Sequence, residues 1–354
     1  MNLLDSIYQS VSQRVSWNKA RTKCMTALIY GILKMKSVNL SMVSTAFVGE
    51  VKQNSTYRKF QRFFEKFDLP IIDISKLILS KIPLPKEGYT LCMDRTNWKY
   101  GKHHINILTI GILVGKVCVP IVWTVLPQST KNGNSRTCHR KDVIRKLLEI
   151  IPAENIYVLL MDREFNGTEW LKWIDDKHIA YILRIKKNVQ IEGSSAEVIG
   201  SKPGPNPQVK LSIFELNLFF GSKRMKPTKS GIIYVVSNHF KGKEALQIYR
   251  RRWGIELLFS HLKRRGFNFE DTHMTEKKKL EKLMAILSLS FLYSYGWGLQ
   301  LRTLEKQSKF LSRKSDFRYG LESIVRILFT PSCLSELRES LFNWIDSGTL
   351  KHNP

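Results

Sequence analysis

The sequence predicts an α/β fold: a mixed sheet flanked by helices, preceded by a helical region and interrupted by a β-rich insertion. Two observations predict that class. Between residues 88 and 186 the hydrophobic period becomes strand-like, with β-rich runs at Tyr89–Met93, His104–Val114, Val117–Leu126, Ile156–Met161 and Ile179–Ile185. Helical segments at about 138–151 and 167–176 separate the later runs. Three strands in close succession therefore give way to strands alternating with helices, the layout of a mixed sheet.

The flanking elements follow in chain order. Residues 1–84 read as helical and carry 13 Lys+Arg against 5 Asp+Glu. Val38–Phe47 and Ser55–Phe67 form two helices around a GEVKQN turn, with Ser55 as N-cap of the second. There Phe60, Phe63, Phe64 and Phe67 follow the spacing of a docking face. Arg58, Arg62 and Lys66 recur on another face, as a helix laid against DNA requires. A surface helix with solvated charges has the same spacing. Residues 187–242 look inserted, with turn-rich SKPGPNPQ ahead of strand-like Val209–Phe220 and Gly231–Ser237. From Lys243 the chain is helical again, and Leu280–Leu299 is the strongest helix.

Composition limits what such a fold can do. The 354 residues include 57 Lys+Arg and 30 Asp+Glu, a formal net charge of +27. Apolar residues at 43% exclude wholesale disorder, and five cysteines with no CxxC pair read as reduced intracellular thiols. So large an excess of positive charge points to a polyanionic partner, with nucleic acid foremost. The N-terminus carries an early Asp5 and no long apolar run, unlike a secretory signal. Ile105–Leu126 is broken by Gly111, Gly115, Lys116 and Pro120, and Leu283–Leu299 is too short to span a bilayer. A soluble, cytoplasmic protein without membrane partners is expected.

Chemistry concentrates at three points. LCMDR at Leu91–Arg95 and LLMDR at Leu159–Arg163 each end an apolar strand in an Asp. If the two strands are parallel neighbours, Asp94 and Asp162 lie side by side at the sheet edge where α/β sheets build their sites. Paired carboxylates repel, and a divalent cation such as Mg²⁺ or Mn²⁺ relieves that repulsion. Each Asp alone equally suits a turn cap or a partner of its neighbouring Arg. The third point is IYRRRWGIELLFSHLKRR, Ile248–Arg265. At about 100° per residue, Tyr249, Arg252, Glu256 and Lys263 share one stripe about 60° wide. Taken alone, that spacing also fits a surface helix with an Arg252–Glu256 pair worth a few tenths of a kcal/mol.

Other motifs offer less. His103 and His104 alternate faces of a strand, and His261 faces away from the Glu256 stripe. No zinc spacing, Walker loop or GxSxG elbow occurs. The run Lys131–Lys141 reads as a basic loop suited equally to DNA contact and to solvent.

Tyr249-x2-Arg252-x3-Glu256-x6-Lys263 resembles the YREK signature of the DDE transposases of bacterial insertion sequences, the IS-four family. MDRTNW around Asp94 and MDREFNG around Asp162 look like that family's two Asp motifs, and TYRKFQRFF looks like part of its end-recognition region. The resemblance covers most of residues 15–275. It implies a ribonuclease H-like core in which Asp94, Asp162 and Glu256 are the catalytic residues and hold two Mg²⁺ ions, with Mn²⁺ as a substitute. Tyr249, Arg252 and Lys263 would grip phosphates, and Trp253 would pack or stack near the DNA end. Arg58, Arg62 and Lys66 would contact the element end.

On this basis the chain divides into 1–84, a helical DNA-end-binding region; 85–186, the first part of the core; and 187–242, the insertion. Residues 243–300 would complete the core, and 301–354 would form a helical C-terminal segment offering a dimer contact. The implied function is cut-and-paste transposition by cleavage and strand transfer. Its partners would be double-stranded DNA, as terminal inverted repeats and as target, and a second copy in a homodimeric synapse. The location would be bacterial and nucleoid-associated. Relatives that pass through a hairpin intermediate stack an aromatic of the insertion on a flipped base; this insertion has no Trp, and Phe214, Phe219, Phe220, Tyr234 or Phe240 would have to take that place. A DNA-end-binding protein without catalysis and a structure-selective, metal-dependent nuclease are the competing classes.

Overall fold

The structure, a computed structural model, describes residues 2–47, 49, 52–127, 135–201, 210–224, 231–305, 314–330 and 334–350. The chain divides into two units, one of Met1–Pro83, Trp98–Ile105 and Leu258–Pro354, the other of Leu84–Asn97 and Asn106–Leu257.

The first unit is helical. It opens with α1 (Leu3–Ser12), α2 (Lys19–Met35), α3 (Leu40–Thr45), α4 (Gln53–Lys66) and α5 (Ile71–Leu79). The first three begin at asparagines, Asn2, Asn18 and Asn39, whose side-chain oxygens accept backbone N–H groups of the first turn. α4 differs from expectation: its N-cap is Lys52, with no side-chain cap bond, so Ser55 lies inside the first turn. Phe60, Phe63 and Phe64 are buried as their spacing demands.

The second unit carries most of the sheet. The strands are β1 (Tyr89–Tyr100) and β2 (His103–Val114), whose joined ends Trp98–Ile105 are counted with the first unit, then β3 (Val117–Val125), β4 (Ile156–Met161) and β5 (Tyr181–Ile185). α6 (Thr137–Leu148) and α7 (Thr168–Asp176) bracket β4, and α6 packs against β3. A small pair, β6 (Gln190–Ile191) and β7 (Ser194–Ser195), then leads through α8 (Ala196–Ser201) to β8 (Lys210–Ile213), β9 (Leu216–Arg224) and β10 (Ile232–Ser237). Eight strands form one sheet in the order β3-β2-β1-β4-β5-β10-β9-β8. β1, β4 and β5 run parallel, while β3 is antiparallel to β2 and β10, β9 and β8 continue antiparallel from β5. A mixed sheet of this order with helices against it is a ribonuclease H-like fold.

The strand expected over Val209–Phe220 is instead a hairpin. Phe214 and Glu215 sit at φ 55° and 58°, a tight turn between β8 and β9 made without glycine. Strands of the inserted stretch extend the central sheet, and most of SKPGPNPQ lies outside the described residues.

After β10 come α9 (Gly242–Tyr249), a 3-10 turn at Arg250–Arg252 and α10 (Trp253–Leu262). The first unit resumes at Leu258 within α10 and continues with α11 (Lys277–Glu305), α12 (Asp316–Phe329) and α13 (Ser335–Ser347). α11 and α12 cross closely because both are glycine at the contact. A Cβ on Gly298 would stand 1.8 Å from the Asp316 carbonyl oxygen, and one on Gly320 would stand 1.9 Å from that of Ser294. Two buried lysines satisfy helix ends: Lys282 Nζ donates to the Phe64 carbonyl at 2.9 Å, and Lys81 Nζ to those of Asp346 and Gly348 at 3.3 Å. The two apolar stretches flagged by sequence fall in β2–β3 and in α11. Among the described residues no helix is long and apolar enough to cross a membrane.

Candidate active site

β1 and β4 pair in parallel with Met93 opposite Met161, so Asp94 and Asp162 are the next residues along two adjacent strands. Asp94 is continuous with β1, whereas Asp162 closes β4 and caps the 3-10 turn Arg163–Phe165, its carbonyl accepting from Phe165 N at 3.0 Å. Both lie at the end of the parallel pairing, where an open sheet gathers its functional groups.

The third acid reaches this pair through an arginine. Arg252 is 7% exposed, and its Nη1 donates to Asp94 Oδ2 at 2.9 Å while its Nη2 donates to Glu256 Oε1. Glu256 lies one turn into α10, and Gly254 lets that helix start against the β2–β3 turn. A Cβ there would stand 2.5 Å from Leu113 Cδ1 and 3.0 Å from the Lys116 carbonyl oxygen. Asp162 faces two other groups: Tyr249 Oη at 3.5 Å, the outer limit of a hydrogen bond, and Arg184 Nη1 at 3.7 Å.

Burial sets the electrostatics. It raises the Asp94 carboxyl to about 6; Arg252 and the Arg95 backbone N–H oppose that rise, and Asp162 and Glu164 reinforce it. Burial also pushes the Tyr249 phenol far up. For Arg252 burial works against the charge, but Tyr249, Asp94, Asp162 and Glu256 outweigh it and hold the guanidinium protonated.

The expected single stripe is corrected here. The 3-10 turn at Arg250–Arg252 breaks the helix between Tyr249 and Glu256, and α10 stops at Leu262. The break still leaves Tyr249 facing Asp162 and Arg252 joining Asp94 to Glu256. Lys263 lies beyond the helix, in the first unit, where its Nζ pairs with Glu270 at 2.8 Å and sits 5.6 Å from the Trp98 ring centroid. Trp253 is 56% exposed. In the first unit Arg58, Arg62 and Lys66 are exposed along α4. Arg62 lines a groove of about 740 Å³ together with Lys19, Lys23 and Lys59, three cations that periodicity did not single out.

Sequence reading also missed Arg184, although a charge in the apolar run Tyr181–Ile185 was a signal. It missed Glu164 as well, which accepts from Arg95 Nε and Nη2 at 3.3–3.4 Å and from Ser135 Oγ at 3.5 Å. The run Lys131–Lys141 is only partly described, and from Thr137 onward it is the helix α6 rather than a loop.

The three acids meet the needs of a divalent metal in kind but not in their present arrangement. In kind, the three are hard oxygen ligands, and burial, which disfavours the Asp94 anion and raises its carboxyl to about 6, makes added positive charge welcome. In arrangement, the Arg252 guanidinium already bridges two of the three, and no cluster of three or more His, Cys, Asp or Glu stands in metal-ligating geometry among the described residues.

The fold is thus a ribonuclease H-like sheet with two aspartates at the ends of adjacent parallel strands. Residues 83–292, more than half of the chain, match the family model of the transposase DDE domain, and the chain belongs to that family. It is a DDE transposase, an enzyme that acts on DNA. Comparison with curated proteins gave no match.

Proposed function

We propose that the chain is a cut-and-paste transposase of the IS-four type, with Asp94, Asp162 and Glu256 as its catalytic acids. The observation that carries this reading is that Asp94 stands beside Asp162 by strand register and shares Arg252 with Glu256. The three would hold Mg²⁺, or Mn²⁺ in its place, which supplies activation of the attacking oxygen and neutralisation of charge at phosphorus. The remaining work is positioning and electrostatics. Arg252, moving from its carboxylates to a phosphate, would exchange one pair of anionic oxygens for another of the same geometry. Tyr249 would orient Asp162 and a neighbouring phosphate oxygen from its buried hydroxyl. Trp253, exposed beside Arg252, offers a flat ring to an unpaired base or a sugar edge. Lys263 contributes positive charge just after α10.

In this reading Arg58, Arg62 and Lys66, with the groove cations Lys19, Lys23 and Lys59, hold the terminal inverted repeat through its phosphates. Two copies would pair two ends with two-fold symmetry, and the residues after 300 are the segment assigned to that contact. The division into a DNA-end region, a two-part core and an insertion belongs to the same proposal.

The test is strand cleavage on labelled element-end duplex with Mg²⁺. Wild type should nick at the end, and Asp94→Ala or Glu256→Ala should reduce the rate by roughly 10³-fold or more while leaving gel-shift binding in place. Binding without any metal-dependent product would assign the chain to end binding alone. Cutting of branched DNA without end preference would make it a structure-selective nuclease.

A further inference from the structure

Arg140 stands outside every role assigned so far, yet it is among the best-satisfied cations of the second unit. It lies on α6, is 6% exposed, and uses its whole guanidinium on main chain and one hydroxyl. Nε donates to Ser135 Oγ at 3.0 Å, and Nη2 donates to the carbonyls of Ser135 and Glu164, both at 2.8 Å. Nη1 donates to the Asn166 carbonyl at 3.0 Å, and the guanidinium carbon lies 5.2 Å from the Phe165 ring centroid. The Glu164 and Asn166 carbonyls belong to the turn that Asp162 caps, and Ser135 lies just ahead of α6.

The contacts run on to the other aspartate. Ser135 Oγ, which accepts from Arg140, faces Glu164 Oε1; Glu164 holds Arg95; and the Arg95 backbone N–H donates to Asp94 Oδ1 at 2.7 Å. Arg95 Nη1 also donates to Asn106 Oδ1 at 2.5 Å on β2, which fixes the arginine from the far side. One buried guanidinium is thus tied directly to the turn after Asp162 and, through Glu164 and Arg95, to the backbone at Asp94.

We propose that Arg140 is a positioning residue that sets the Asp162 turn and, through Glu164 and Arg95, the orientation of Asp94. Only a planar fork spans Ser135, Glu164 and Asn166 at once; an ammonium at the same place reaches fewer of them. Without the fork, two carbonyls of the part-buried turn and that of Ser135 lose this donor and the turn opens, carrying the carboxylate with it. The effect on cleavage rests on Asp94 and Asp162 being the catalytic acids; the effect on the turn does not.

The experiment uses the full chain as wild type, Arg140→Ala, Arg140→Lys and Ser135→Ala. Hydrogen–deuterium exchange should rise about tenfold across 162–167 in Arg140→Ala, less in Arg140→Lys and least in Ser135→Ala, with β2 and β3 unchanged. On element-end DNA at saturation, single-turnover cleavage by the folded Arg140 variants should fall roughly 10- to 100-fold with the half-saturating DNA concentration unchanged. If Arg140→Ala does not fold, the lysine and serine variants decide. Unchanged exchange at 162–167 in folded Arg140→Lys, or a cleavage loss residing wholly in DNA affinity, overturns the proposal. A wild-type chain that cleaves nothing counts against the functional reading, while the exchange result still settles Arg140.

Discussion

At the scale of single residues, Arg252 decides how the acids coexist. Asp94 and Glu256 both accept from it, and the Asp94–Arg252 pair is largely shielded from water. Removing one partner of a buried pair leaves the other charge uncompensated, so Arg252→Gln should cost about 3–5 kcal/mol in denaturant unfolding at neutral pH. Adding Asp94→Asn to that variant should return part of the loss, because the orphaned carboxylate is then gone. A double variant less stable by the full sum of the single losses would show that the two side chains do not interact. Sequence spacing already brought Arg252 and Glu256 together on one stripe, a spacing that also fits a solvated helix face, but it gave no sign that Asp94 shares the same guanidinium.

At the scale of elements, the last turn of α10 carries a group with a clear pH signature. His261 is buried against Phe291 and Phe317, and its Nδ1 has no hydrogen-bond partner among the described residues. Burial lowers the imidazole to about 4; Arg265 adds to that effect and Asp316 opposes it. The folded state therefore binds its proton more weakly than the unfolded chain. The stability gained from neutral His261 is complete above about 6.5 and is lost as pH falls toward about 4, a change of up to about 3 kcal/mol. In His261→Phe the difference from wild type should grow across that window; a constant difference would remove His261 as the cause.

The elements themselves were unevenly legible. β4 appears at its expected residues because Ile156–Met161 is an unbroken apolar run between turn residues. β1 runs seven residues past its expected end at Met93, since RTNWKY alternates burial without a β-branched run to announce it. The β8–β9 turn escaped notice because Phe214 and Glu215 hold positive φ in place of the usual Asn-Gly. The 3-10 break at Arg250–Arg252 was hidden for a related reason: three arginines favour a helix, and the distortion accompanies contacts of Arg252 with Asp94 that no local pattern encodes.

At the scale of the whole molecule, a chain of net charge +27 concentrates acidic side chains where its sheet ends. The strand echo LCMDR and LLMDR made that edge readable, because equal spacing from strand to Asp becomes equal height once the strands are parallel. Arg184, Glu164, Ser135 and Arg140 were not readable, since each acts through contacts made 20 or more residues away along the chain. They form the support of the edge rather than its motif. If Asp94, Asp162 and Glu256 act as one site, all three contribute to metal binding, and Mn²⁺ binding followed by electron paramagnetic resonance, with a short duplex present, tests that most directly. Asp94→Asn, Asp162→Asn and Glu256→Gln should each weaken binding by roughly tenfold or more relative to wild type. Wild-type affinity in Glu256→Gln alongside loss in both aspartate variants would contradict a shared three-acid site.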